Sequence, residues 1–475
     1  MRKSLVIAGL FAALSFTLFQ SYELKRPCLE KPWGAPQRLE YRNLCYNDVQ
    51  ALYGVRKLDQ RAIPYIEEKS YEYPVLMGMS MWATSLFAHD HVEYFKANVP
   101  LLAFMAILSL AGLWGAIGLR RELLWFAIGT PTLFYAFLNW DLIPVACVCI
   151  AMWAWSRERI AASGAALGLG VAAKIYPGFL LPSLMIALWR KADHQEQRTK
   201  KVARLLAGFS GAWLAANLPV LIAEYAKTGA VDGWLSVFSF HAKRASDFGT
   251  VWYWLYRFST DDFPTYLATL PAIVAGASAA WVAAQKRYGS IRLPLAAALS
   301  VLTITLMVFA HMIEGIALGE DFRGIVDHCS EFLFASGTIA LLFSQWKRGN
   351  DSWATGAGIL ALYLAVSKIH SPQHALWVLP LMLSVRVPLS TRVGYLLGDA
   401  FVFAGGFTWF ATSPEMQFNF WQVVFIAGVF VRAGFLLRFS AQCALGAPSL
   451  MQGKRTEKFA GEVSTALVHE TSAAA

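Results

Sequence analysis

The side chains able to do chemistry in this oily chain fall into a few separated groups. Asp48 stands in CYNDVQALYG, between Tyr46 and Tyr53, and Glu72 follows in SYEYPVL. Asp141 ends the triplet Asn139-Trp140-Asp141, and Lys174 is a lone charge in LGLGVAAKIYPGFLLP. His241, Lys243, Arg244 and Asp247 cluster in FHAKRASDFGTVWYW, and Lys368, His370, Gln373 and His374 cluster in SKIHSPQHALWVLP. A carboxylate held among aromatics at a membrane surface gains proton affinity. It can then take a proton from a hydroxyl nucleophile. Lys and Arg can clamp a phosphate, Arg through bidentate bonds. One acid and several cations on a lipid-accessible face suit group transfer from a lipid phosphate carrier to an acceptor hydroxyl. Plainer readings stand beside these. Asp48 can be a solvated loop acid or the cap of a helix beginning near Val49, and Lys174 can snorkel past the break at Pro177.

The elements that must position these groups follow from composition. Of 475 residues, 57% are hydrophobic and only 15% charged, where a soluble protein carries about a quarter. Apolar runs of roughly 15–21 residues, long enough to cross a bilayer, recur throughout. The expected fold class is an all-α polytopic membrane protein. Residues 4–20 read as a retained first span, because no small-x-small cleavage site follows Phe19. Short basic connections belong on the cytoplasmic side. Arg120-Arg121, Arg157-Glu158-Arg159, Arg190 to Arg204, Lys286 to Arg292, Lys347-Arg348 and Arg386 to Arg392 all fall there, with Arg2-Lys3, in one threading.

That threading gives about 12–14 spans, at residues 4–20, 100–118, 123–138, 141–156, 160–173, 176–190, 204–224, 266–284, 293–313, 329–345, 353–368, 374–386, 393–411 and 418–437. Residues 75–89 are expected to lie in the outer interface as a short helix. The larger outer segments are 21–99, 225–265 and 314–328. A single transmembrane domain then covers residues 1–438, and 439–475 form a cytoplasmic, disordered tail.

The net charge of +10 matches basic cytoplasmic loops and attraction to anionic lipid. Without a soluble basic domain it does not point to nucleic acid. The 18 Trp, 17 Tyr and 32 Phe suit interfacial belts. Of six cysteines, Cys147 and Cys149 share an apolar span and Cys443 is cytoplasmic in the threading. Cys28 and Cys45 share the first outer loop, where an oxidising compartment permits a disulfide. No outer loop has metal-ligand spacing, so neither an obligatory metal nor a cofactor is expected. Oligomeric state is not readable.

CYNDVQALYG, the PY of IPYIEE, EYPVL, NWDLIPV, LGLGVAAKIYP and SKIHSPQHALWVLP extend from about residue 45 to 382. Together, in order and spacing, they resemble the polytopic, DUF2029-like glycosyltransferases of family 87, in an actinobacterial form. The resemblance implies a GT-C-like bundle in the plasma membrane, with short helices near 49–60 and 76–90 in the long first extracytoplasmic loop. It implies a polyprenyl-phosphate sugar donor, commonly the mannose form, a glycolipid or glycan acceptor, and inversion at the anomeric carbon. Asp48 maps to the base in the first outer loop. Lys174, Arg244, Lys368 and His370 become the donor-phosphate candidates. Tyr46, Glu72, Asp141, Tyr176 and Gln373 become the substrate-binding candidates. The stretch EGIALGEDFRGIVDH and His374 depart from the pattern and leave the acceptor open. The alternative is a transporter or lipid flippase. It fits the many crossings, but the first-loop pattern does not recur in the second half, as paired transporter repeats would lead one to expect.

Overall fold

The computed structural model describes residues 2–31, 33–34, 38–191, 194–260, 320–413 and 418–451, and the single positions 276, 300 and 303. The expected spans 266–284 and 293–313, residues 314–319 and the tail beyond 451 lie outside the described residues, whereas residues 439–444 of the expected disordered tail continue the helix Phe420–Ala444. Everything regular that is described is helical.

Six described helices are long and apolar enough to cross a membrane. Arg2–Lys25, His91–Ile117, Gln195–Thr228, Glu320–Arg348, Leu389–Thr412 and Phe420–Ala444 carry them. Their ends obey local chemistry. Asp90 accepts from the backbone N–H groups of Val92 and Glu93 at 2.8 Å each, and Glu93 accepts in return from the His89 N–H at 2.9 Å. This is a reciprocal N-terminal cap. Gly118, at φ +75°, closes the same helix.

Several expected spans are shorter than a bilayer is thick. Leu142–Ser156, Ile160–Ala173 and Ser352–Val366 have 15, 14 and 15 residues. At 1.5 Å per residue they reach about 21–23 Å, against ~30 Å of hydrocarbon. Residues 123–138 form two six-residue helices, Glu122–Ala127 and Thr130–Tyr135. They part at Gly129-Thr130-Pro131, where a Cβ on Gly129 would collide with the Trp125 carbonyl. Residues 176–190 begin as a 3₁₀ turn around Pro177, and 374–386 hold only the nine-residue helix Ala375–Leu383. The expected outer segment 314–328 is also revised. From Glu320 onward it is the start of Glu320–Arg348, because no Gly-Pro break interrupts it.

The truncated helices can be short because protein, not lipid, surrounds them. Ser352–Val366 is buried along nearly its whole length. Ile160–Ala173 packs tightly on Gln195–Thr228: Cβ atoms on Gly164 and Gly168 would strike the Leu205 and Phe209 carbonyls. Small residues four apart thus bring the two backbones together. The cut ends of the three short helices are marked by Asp141, Lys174 and Ser367. Lys174 and Ser367 line one cavity, and Asp141 stands behind Lys174 at its edge.

The first loop holds short helices, among them Asp48–Val55 and Val75–Ser85, and it lines that cavity through Asp48, Leu52 and the stretch Glu72 to Pro74. Val75–Ser85 has eleven residues and is far too short to span. Cys28 and Cys45 are joined by a disulfide with Cα atoms 5.6 Å apart. It ties the end of the first long helix to the approach to Asp48. Closing 17 residues of sequence restrains the unfolded chain by about 3 kcal/mol. Cys45→Ser should therefore melt at a lower temperature than the parent. Mass analysis should show the parent gaining two hydrogens on reduction and the variant gaining none.

Candidate active site

A cavity of about 1130 Å³ opens where the short helices end. Tyr46, Asp48 and Glu72 reach it from the first loop, Lys174 and Tyr176 from behind Ile160–Ala173. His241 comes from the last turn of the helix Asp232–Ala242, Arg244 and Asp247 from the loop after it, and Lys368, Gln373 and His374 from the segment after Ser352–Val366. Groups far apart in sequence thus share one chamber.

Asp48 is the first residue of its helix but not its cap. Asn47 accepts from the Gln50 N–H at 2.8 Å and is fixed through its amide to the Gln50 side chain, also at 2.8 Å. The Asp48 N–H donates to the Leu138 carbonyl at 2.8 Å. The carboxyl is left facing the cavity, where the Tyr46 hydroxyl donates to it. Burial pushes the Asp48 pKa up to about 6, and the Glu72 charge adds to that. The Tyr46 hydrogen bond and the Lys174 charge pull the other way. Its proton affinity is thereby set close to neutrality, where a general base works best.

Glu72 is committed to Arg56, 3.2 Å away. Arg56 is itself enclosed between the Tyr71 and Phe240 rings. His241 Nε2 lies 2.9 Å from the Glu72 carbonyl; a carbonyl only accepts, so Nε2 carries the proton and Nδ1 is left as an acceptor. Burial lowers the His241 pKa.

Lys174 does not snorkel. It sits 3.0 Å from Asp141, with its ammonium 4.5 Å from the Tyr73 ring centre and 5.5 Å from that of Trp377. Asp141 is fully buried. Asn139 holds it from two directions, donating through its amide at 3.2 Å and accepting the Asp141 N–H at 3.0 Å. Asp141 is therefore a support for Lys174 and does not line the cavity. Tyr176 stacks on Trp377 at 4.4 Å, and His374 stacks on the same ring at 3.8 Å.

The two remaining loops are knitted together. The Asp247 N–H donates to the Lys368 carbonyl at 2.9 Å, and the Ser371 hydroxyl donates to Asp247 at 3.2 Å. Arg244 and Asp247 approach to 3.8 Å, and Lys368 meets Asp327 at 2.5 Å. His370 is placed differently from the sequence expectation. It is buried behind the lining residues, with its carbonyl bound by Arg432 at 3.2 Å. Burial and the Arg432 charge hold its pKa well below the usual histidine range, so it offers a phosphate no charge.

Sequence reading passed over four residues that frame this site. Lys25, fully buried, donates to the Tyr46 carbonyl at 3.0 Å. Its signal was a basic residue at the outer end of the first span, against the usual loop bias. Arg56 and Asp327 pair with groups already named. Arg432 interrupts the apolar run GVFVRAGFLL, and a charge at such depth normally has a partner. Among the described residues, no three His, Cys, Asp or Glu side chains gather as a metal site would require.

No family model, curated protein or solved structure matches the chain. The functional reading therefore rests on the geometry of the cavity and on the sequence motifs that line it.

Proposed function

We propose that the protein is a GT-C-like membrane glycosyltransferase of the family 87 kind. It moves a sugar, mannose in the leading case, from a polyprenyl-phosphate donor to a glycolipid or glycan hydroxyl. The site faces the extracytoplasmic side of the plasma membrane. The observation that carries this reading is Asp48: a carboxyl with a pKa of about 6, in one cavity with Arg244 and Lys368.

Asp48 accepts the proton of the acceptor hydroxyl, and the resulting oxygen attacks the anomeric carbon in line. The bond from that carbon to the phosphate oxygen breaks, and the electron pair leaves with the lipid phosphate. Lys368 and Arg244 balance the growing charge on that phosphate, the kind of electrostatic stabilisation that usually dominates such sites. Lys174 is neutralised by Asp141 and serves to hold the Tyr73 and Trp377 rings and to tune Asp48. Phe179, Phe334 and Tyr363 pack within 5.3 Å of one another along the same cavity. Phe334 lies on Glu320–Arg348, whose other face carries exposed Phe332, Ile339 and Phe343. This apolar flank suits a prenyl tail entering from lipid.

Purified protein incubated with radiolabelled polyprenyl-phosphate mannose tests the proposal. Label appearing in a glycolipid or glycan supports it, and label crossing vesicles unchanged supports transport instead. The pH dependence provides a second test. Asp48 must be ionised to act, so kcat/KM should be high above about pH 6 and fall as pH drops through that value. Glu72→Gln removes a neighbouring negative charge, which lowers the Asp48 pKa and should move this limb to lower pH. A profile flat between about pH 5 and about pH 8 would remove the titration of Asp48 from the mechanism.

A further inference from the structure

Four cations at or beside the cavity have carboxylate partners, and the four pairs are not equivalent. Asp141 is inaccessible and held by Asn139 as well as Lys174. Arg56–Glu72 is nearly buried. Asp247 belongs to the Arg244 loop itself and is held by Ser371. Asp327 is the most exposed of the four carboxylates. It comes from another element, Glu320–Arg348, and its side chain is 27% exposed. Lys368 is the partner of its carboxylate, while Lys368 itself keeps a second bond to the Ala242 carbonyl at 3.3 Å. Breaking Lys368–Asp327 therefore leaves Lys368 anchored and Asp327 free to hydrate.

Charge balance in the lining favours that exchange. Carboxylates outnumber Lys and Arg among the cavity-lining residues, six to four. With every pair closed the chamber repels an anion. The reaction also changes the ligand's charge. A sugar phosphodiester carries one negative charge, whereas the departing lipid phosphomonoester carries about 1.5 to 2 at neutral pH. A site made of cations alone would hold product more tightly than donor.

We propose that Asp327 is the exchangeable counter-ion of the donor-phosphate site. It holds Lys368 while the cavity is empty and yields to the donor phosphate. It returns to Lys368 as the lipid phosphate leaves, which hastens product release. Asp327 is thus a positioning residue acting through Lys368. The exchange moves no proton and makes no covalent bond. It rests on the donor reading given above.

Undecaprenyl phosphate in nanodiscs is the probe. Asp327→Asn should bind it about two- to fivefold tighter than the parent, the range for removing one competing, partly exposed ion pair. Its product inhibition should strengthen by a similar factor and kcat should fall. A merely structural role would not tighten binding. Lys368→Gln should weaken binding by about tenfold, and the double variant should resemble Lys368→Gln. Asp327→Ser repeats the test without an amide. Failure of parent and variants alike to bind the probe would overturn the donor reading, and the counter-ion role with it. Binding by the parent that is unchanged or weaker in both Asp327 variants would overturn the counter-ion role alone.

Discussion

Asp48→Asn should give a folded, membrane-inserted protein whose turnover is reduced by about 10²–10⁴-fold, the usual loss when a general base is removed. The substitution is unusually clean because of what surrounds the carboxyl. Helix capping belongs to Asn47, so the start of Asp48–Val55 keeps its cap. Lys174 has Asp141 as its own partner, and the buried Lys25, which feels the Asp48 charge, keeps its bond to the Tyr46 carbonyl. The Tyr46 hydroxyl can donate to an amide oxygen as it does to the carboxylate. Only the charge and the capacity to accept a proton disappear. Thermal melting should be unchanged or slightly higher, since burying a charge is costly. Initial rates with labelled polyprenyl-phosphate mannose, alongside melting of the same preparation, separate chemistry from folding. Turnover within about threefold of the parent would take Asp48 out of the role.

What sequence could foretell here depended on the range of the interaction. Hydropathy marks where apolar helices lie, and the long helices from Arg2–Lys25 to Phe420–Ala444 follow it. It does not say which helices stop short, because that depends on neighbours. Ser352–Val366 can be 15 residues long only because protein surrounds it. The same limit applies to side chains. The gathering of Asp48, Lys174, Arg244 and Lys368 in one chamber could be anticipated, since polar residues in an oily chain have few other places to go. Their partners could not. Whether Lys174 snorkels or pairs was settled by Asp141, 33 residues away in sequence and fixed by its own Asn139. His370 and His374 read alike in SKIHSPQH, yet one turn of 3₁₀ helix at Pro372–His374 puts His374 at the cavity and His370 behind it. Asp327 lay in the stretch least like the family pattern. Its importance emerges only when Glu320–Arg348 is seen to carry it to Lys368.

Arg432→Met should be the most destabilising single change in the bundle. Arg432 and Asp399 are both fully buried, 3.5 Å apart, on two of the six described helices able to cross a membrane. The backbones are close there, because a Cβ on Gly398 would press on the Arg432 main chain. The same guanidinium donates to the Gly249 carbonyl at 2.9 Å and to the His370 carbonyl at 3.2 Å. One side chain thus joins two helices to the two loops that carry Arg244 and Lys368. Removing it leaves Asp399 as an unpaired buried charge, at a cost of about 3–5 kcal/mol. Two buried carbonyls also lose a donor, at about 1–3 kcal/mol each. The expected result is loss of monodisperse protein in detergent, or a much lower melting temperature. Arg432→Met combined with Asp399→Leu separates the two contributions. The double variant removes the orphan charge and should recover most of the thermal stability, because an apolar pair can replace a buried ion pair at little cost. Its turnover should remain low, since the loops bearing Arg244 and Lys368 would still lack their anchor. A double variant that regained both stability and turnover would show that the ion pair holds helices only, and that the loops find their positions without it.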